Sequence, residues 1–232
     1  MKKVLVLMLC LCVLKVVDSQ NKIEGIGVFK IGKTKIKIIN QIAEDNNTVL
    51  KWYSDYSDTE WLKYFRGIEI AELFPNLQDS SKNPLRTSYC PNVRVFFINA
   101  YKIAGINLLN IHLRFYNDKL IEFYCDYSNE LLDALSIKYG KPKKNNYLSN
   151  CSVLNKSNRI SYSCIYWENK TIIAGFNKEE RDSVILNSYF ILTDTTYFKI
   201  NSDCEIKKKE TYLNDLRKKV LNDLQKKVLK DL

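Results

Sequence analysis

Gly27-Val28-Phe29-Lys30-Ile31-Gly32-Lys33-Thr34 fits the phosphate-loop pattern G-x-x-x-x-G-K-[ST] letter for letter. In that chemistry backbone amides ring the phosphates, Lys33 would reach them and the Thr34 hydroxyl would hold Mg²⁺. Here the loop is filled with Val28, Phe29 and Ile31 rather than small residues, and no apolar run ending in Asp follows to hold the metal. The sequence favours a short strand over Val28–Ile31 ending at Gly32, with Thr34 capping the next helix. No nucleotide, metal or other cofactor is expected.

A second group is aromatic. Trp52, Tyr53, Tyr56, Trp61, Tyr64 and Phe65 interleave with Asp55, Asp58 and Glu60. Rings beside carboxylates can stack a sugar while the carboxylates act as acid and base. The same rings can anchor a protein partner, or half of them can fill the core of a tyrosine-rich domain. Trp52, Tyr53, Tyr56 and Trp61 are the partner-binding candidates here. A glycan-directed hydrolase using paired carboxylates of 52–65 is the alternative function.

Histidine and cysteine bound what other chemistry is open. His112 is the single histidine, which excludes His-His metal sites. It sits in the alternating run Ile111-His112-Leu113-Arg114-Phe115, where it takes the face opposite the apolar residues and reads as solvent-facing. No C-x-x-C occurs, so neither a structural zinc nor a thioredoxin-like site is expected. Cys151 with Cys164 is the favoured disulfide and Cys90 with Cys125 the second candidate, which leaves Cys204 over.

The compartment follows from the first nineteen residues. Met1-Lys2-Lys3 is a basic start, Val4 to Leu14 an unbroken apolar run, and Val17-Asp18-Ser19 a cleavage region before Gln20. That is secretory signal architecture, and the run is short for a bilayer span, which needs about 20 residues. A lipid anchor at Cys10 or Cys12 is the lesser reading, since each follows Leu. Export to the periplasm or medium is therefore expected.

The elements that must position these residues follow from a chain of 232 residues, enough for one well-buried domain and an extension. Apolar residues at 46% and charged residues at 27% are ordinary for a globular protein and exclude collagen-like or fully disordered chains. The net charge of +10 divides into +2 over 1–19, +4 over 20–204 and +4 over 205–232. The body has no clustered basic face, so no nucleic-acid partner is expected.

Ile36, Ile39 and Ile42 space a helix that opens at Thr34. Val49–Tyr56 and Tyr64–Phe74 read as strands or a strand and a turn. Val93–Ile103, Ile106–Tyr116 and Lys119–Asp126 read as strands joined by turns at Gly105 and Asn117-Asp118. A helix follows from Ser128, burying Leu131, Leu132, Leu135 and Tyr139 and ending at Gly140 and Pro142. Residues 143–158 read as a polar loop. Ile160–Trp167 and Thr171–Phe176 form a hairpin across Glu168-Asn169, and Val184–Leu192 is a further strand. The expected fold is α+β: an antiparallel sheet with two helices on one face in a domain over 20–204, then a C-terminal amphipathic helix over 205–232.

The stretches FKIGKTKIKIINQIAE, LRFYNDKLIEFYCDYSNELLDALSIKYGKP and YWENKTIIAGF carry a resemblance. They are similar to exported Bacteroidetes-type proteins with a β-lactamase-inhibitor-protein-like module, and to the related small outer-membrane-assembly lipoprotein domain. In such modules a Gly-x-Thr/Ser opens a helix, a hairpin leads to a second helix ending x-Gly-x-Pro, and a Trp-bearing strand pair follows. The resemblance spans roughly residues 25–195. It implies protein binding without catalysis, with Gly32, Thr34, Gly140, Pro142 and Trp167 structural. The stretch 45–90 and the tail depart from it.

The tail repeats every eight residues from Tyr212 without Gly or Pro. At 100° per residue Leu213, Leu216, Val220, Leu221, Leu224, Val228 and Leu232 share one broad face, with lysine pairs opposite. The candidate partner-binding residues are Leu213, Leu216, Val220, Leu224 and Val228. Three placements compete: docking on its own domain or on a sister chain as a homodimer, binding a separate protein partner, or lying on an anionic membrane surface. The leading expectation is an exported, non-enzymatic protein-interaction module.

Overall fold

A computed structural model describes residues 22–53, 67–76, 87–150, 159–181 and 183–230. The expected signal segment 1–19, the candidates Tyr56 and Trp61, the carboxylates Asp55, Asp58 and Glu60, and Cys151 lie outside the described residues.

Eleven strands and three helices are described. A two-stranded hairpin, β1 (Gly25–Ile26) and β2 (Phe29–Lys30), precedes α1 (Lys37–Asp45). Then come β3 (Leu50–Tyr53), β4 (Ile70–Leu73), β5 (Val93–Ile103), β6 (Ile106–Tyr116), β7 (Lys119–Asp126) and α2 (Asn129–Tyr139). The chain continues through β8 (Lys143–Asn150), β9 (Arg159–Asn169), β10 (Ile172–Arg181) and β11 (Val184–Asp194) into α3 (Thr195–Lys230). The main sheet has nine strands in the order β3-β4-β5-β6-β7-β11-β10-β9-β8, antiparallel except for β3 with β4. The protein is α+β, as expected.

Turn chemistry sets the central meander. Ala104 and Gly105 both have positive φ between β5 and β6, as do Asn117 and Asp118 between β6 and β7. Two such residues make the tight turn whose twist matches paired strands. The period of two then sorts the side chains. Phe96 and Ile98 of β5, Leu113 and Phe115 of β6, Phe123 and Cys125 of β7, and Phe190 and Leu192 of β11 join one buried cluster with α1 and α2. Phe123 packs between Phe29 and Phe190 at ring separations of 5.3 and 6.2 Å.

Both helices lie on that face. In α1, Ile39, Ile42 and Ala43 are buried; in α2, Leu131, Leu135 and Tyr139, with Leu132 partly buried against them. Ser128 caps α2 by accepting from the Leu131 amide at 3.2 Å, and Gly140 ends it at φ 79°. Trp167 of β9 donates its indole N–H to the Gly140 carbonyl at 2.8 Å. One wide sheet, two helices and one strand hairpin therefore share a single core.

Four details differ from the sequence reading. Thr34 does not cap α1, which starts at Lys37; its hydroxyl donates to the Val28 carbonyl at 2.7 Å and accepts from the Lys30 amide. Part of the expected loop 143–158 is strand β8, paired with β9 from Lys143↔Tyr166 to Asn150↔Arg159. An edge strand forms by its backbone ladder and needs no apolar face, and edge lysines such as Lys143 and Lys144 guard it against further pairing. The β9–β10 turn falls at Lys170, in the left-handed region at φ 55°, rather than at Glu168-Asn169. Finally, the helix expected to start at 205 starts at Thr195, because Asp194 Oδ1 accepts from the Thr196 and Tyr197 amides at 2.9 and 3.4 Å and turns β11 straight into α3.

Candidate functional site

The second face of the sheet carries the alternate residues, and it divides in two. One end is roofed by α3, which crosses from β11 past β7 towards the start of β5. Tyr197 stacks on Tyr116 at 5.8 Å, and Tyr212 on Tyr89 at 6.1 Å. Between them Glu205 accepts from the Ser88 hydroxyl and from the Tyr89 amide at 2.9 Å. Arg114, mostly buried, lies 3.7 Å from Glu122 and 3.9 Å from Glu205. Below sits a small apolar cluster of Ala71, Leu73, Val93, Val95 and Phe97.

A disulfide between Cys90 and Cys204 holds this roof down. It replaces the expected Cys90–Cys125 pair: Cys125 faces the core under the other side of the sheet and stays a thiol, its pKa pushed up by burial. Cys164 is also a thiol, on the second face of β9, and its expected partner Cys151 lies outside the described residues. Spacing could not reveal the true pair, since 114 residues separate the two cysteines and α3 alone brings them together.

Beside the small apolar cluster the second face carries a row of rings. Phe97, His112, Tyr124 and Tyr189 form a row of rings across β5, β6, β7 and β11. Register places Phe97 beside His112 and His112 beside Tyr124. The ring separations are 5.1 Å, 5.7 Å and, from Tyr124 to Tyr189, 4.9 Å. Phe97 is buried and the other three are half-buried. His112 therefore stands edge-on between two aromatic neighbours instead of projecting alone into solvent, because cross-strand partners on one sheet face sit about 5 Å apart. Its Nδ1 lies 3.2 Å from the Asn110 carbonyl, which can only accept, so Nδ1 carries the hydrogen.

Asn110 closes the far end of the row. At φ 51° it kinks β6, and its amide donates to Asp126 Oδ2 at 2.6 Å. Burial raises the Asp126 pKa above the usual carboxylate value, with the Asn110 hydrogen bond opposing the shift. Further along the same face, Gly175 of β10 leaves room for Cys164 and Tyr166, since a Cβ there would stand 3.4 Å from each. The result is a broad aromatic and polar platform with α3 as its rim.

The expected site residues fall elsewhere. Trp52, on edge strand β3, is 67% exposed. Tyr53 packs against the small apolar cluster of β4 and β5 and donates its hydroxyl to Glu69 Oε1 at 2.7 Å. Three buried carboxylates, Glu69 just before β4, Glu72 in β4 and Glu122 in β7, each face a cation: Glu69 meets Lys51, Glu72 meets Arg94 through two hydrogen bonds of 2.6 and 2.7 Å, and Glu122 meets Arg114. Among the described residues no group of His, Cys, Asp and Glu could hold a metal ion.

At the phosphate-loop string, Gly27-Val28 is the tight turn of the β1–β2 hairpin, with Gly27 at φ 53°. Lys33 is paired with Glu24 at 2.7 Å, and Thr34 is spent closing the turn. Those contacts occupy the two side chains that nucleotide chemistry would need.

Of the tail candidates, Leu213 is half-buried, while Leu216 and Val220 are exposed. Leu224 and Val228 belong to α3, and their side chains lie outside the described set. The aromatic row was missed because its members come from four separate strands. Only their alternation, read together with the strand order, would have assembled it. No protein-family model, curated protein or solved structure matches this chain.

Proposed function

We propose that this chain is an exported interaction protein that docks a protein partner on the second face of its sheet, the one opposite α1 and α2. The observation that carries this reading is the row Phe97–His112–Tyr124–Tyr189, an aromatic cluster built across four strands, three of whose rings are not fully buried. Clustered aromatic side chains are among the groups that carry most binding energy in protein interfaces. Export is supported by the signal-like start and by a disulfide, which persists in oxidising compartments. The resemblance to β-lactamase-inhibitor-protein-like modules rests on short motifs and implies the same kind of role.

The test is capture from source-cell envelope and medium, using the chain from residue 20 beside its Tyr124→Ala/Tyr189→Ala variant. The reading predicts one protein retained by the parent and reduced at least about tenfold by the variant. Equal capture by both overturns it.

A further inference from the structure

A cavity at the β8 edge of the sheet lies outside the sheet-face reading. Strand β8 begins only at Lys143, opposite Tyr166, so residues 167–169 of β9 run past the end of their edge partner. The segment before β1, the turn after α2 and the end of β9 meet at this notch and line a cavity of about 250 Å³.

Hydrogen bonds between distant parts of the chain fix its walls. Trp167 donates its indole N–H to the Gly140 carbonyl at 2.8 Å. Asn169 donates its amide to the Ile23 carbonyl at 3.1 Å, and Tyr139 its hydroxyl to the Gly25 carbonyl at 3.3 Å. Ile23, Tyr139 and Trp167 are buried and make the floor. Lys22, Lys141, Lys143 and Glu168 are exposed and make the rim. Lys141 stands between Gly140, at φ 79°, and Pro142, whose ring restricts the backbone on both sides of its nitrogen.

The rim therefore carries three cations against one carboxylate. Lys143 holds that carboxylate, Glu168, in an ion pair. Glu24, the next carboxylate along the N-terminal segment, is held by Lys33 at 2.7 Å. Among the described residues Lys22 and Lys141 have neither an ion pair nor a hydrogen bond from their side chains. The cavity has the volume of about eight water molecules, which is room for one small ring and its substituents.

We propose that this notch binds a small organic anion of about monosaccharide size, its carboxylate or phosphate on Lys22 and Lys141 and its ring over the Trp167 floor. Charge-assisted hydrogen bonds to the two ammonium groups supply the strong polar contacts. The apolar floor gives the organic body an advantage over a bare ion.

The experiment is isothermal titration calorimetry on the chain from residue 20 at about 0.05 M salt, where screening is weaker than at physiological strength. The probes are glucose 6-phosphate, glucuronate, neutral glucose and inorganic phosphate. Two variants accompany the parent: Lys22→Gln/Lys141→Gln, and Lys208→Gln/Lys209→Gln on α3, which removes the same charge away from the notch. All four positions are exposed, so circular dichroism should show an unchanged fold. The proposal predicts that at least one of the two acids binds with a Kd of about 1 mM or tighter, and glucose at least about tenfold more weakly. The notch variant should lose at least about tenfold in affinity for that acid, and the α3 variant should bind it as the parent does. Binding of one acid alone supports the proposal and assigns the site to phosphate esters or to carboxylates accordingly. The proposal is overturned if neither acid binds, if glucose binds as tightly, or if the notch variant keeps its affinity. Equal losses in both variants, or inorganic phosphate binding as tightly as the acids, also overturn it, since net charge alone would then explain the binding.

Discussion

Cys204 of α3 is bonded to Cys90, 114 residues earlier, and this single link fixes where a 36-residue helix sits. It holds Glu205 over Ser88 and Tyr89 and places Tyr197 on Tyr116, so the helix roofs one end of the sheet. The staple therefore fixes where α3 meets the second face of the sheet.

Peptide mapping without reduction is expected to recover Cys90 joined to Cys204, with Cys125 unmodified. Replacing both bridge cysteines with Ala should cost about 2–4 kcal/mol in denaturant unfolding, since a long loop is released in the unfolded chain. Protease cleavage should then begin in α3. Recovery of Cys90 joined to Cys125 would refute the placement of α3.

Arg94 makes two hydrogen bonds to Glu72, whose carboxylate is buried while the guanidinium remains half in water. Arg94→Ala leaves that carboxylate without its cation and should cost about 1–3 kcal/mol. Replacing both residues with Leu should cost less than the single change, because no charge is then left buried. Urea unfolding of the three proteins checks the order.

Asp126 gives a pH dependence with a definite sign. Burial raises its pKa in the folded state, so the folded chain holds this proton more tightly than the unfolded one. Stability from this group is full below the unfolded value of 3.8 and falls as pH rises through the raised folded value. Asp126→Asn should remove that fall, so its stability relative to the parent should grow from about pH 4 upward. Thermal melts across the acid range read it directly.

Trp167→Phe should keep the core filled but lose the bond to the Gly140 carbonyl at the end of α2. About 1 kcal/mol and a fall in Tm of about 2–4 °C are expected.

These elements differ in how far they could be read in advance. The β5–β7 meander and α2 were legible to the residue because local chemistry specifies them: Gly105 and Asn117-Asp118 at positive φ, Ser128 as a cap, Gly140 as a stop. Strand β8 was not, because its polar residues show no period and form a strand only by pairing with β9. The α3 start was hidden because Asp194 closes a strand and caps a helix at once. The aromatic row and the Cys90–Cys204 bond depend on strand order and on the path of α3, and neither leaves a local signal. Trp52 and Tyr53 were singled out by composition, yet the first is largely exposed on an edge strand and the second packs on the β4–β5 cluster and bonds Glu69.

The central claim is tested most directly by covalent footprinting of aromatic residues on the protein with and without its captured partner. The account predicts that Tyr124 and Tyr189 become protected on binding while Trp52 keeps its labelling. Protection of Trp52 with both tyrosines still labelled would contradict it and move the interface to the β3 edge.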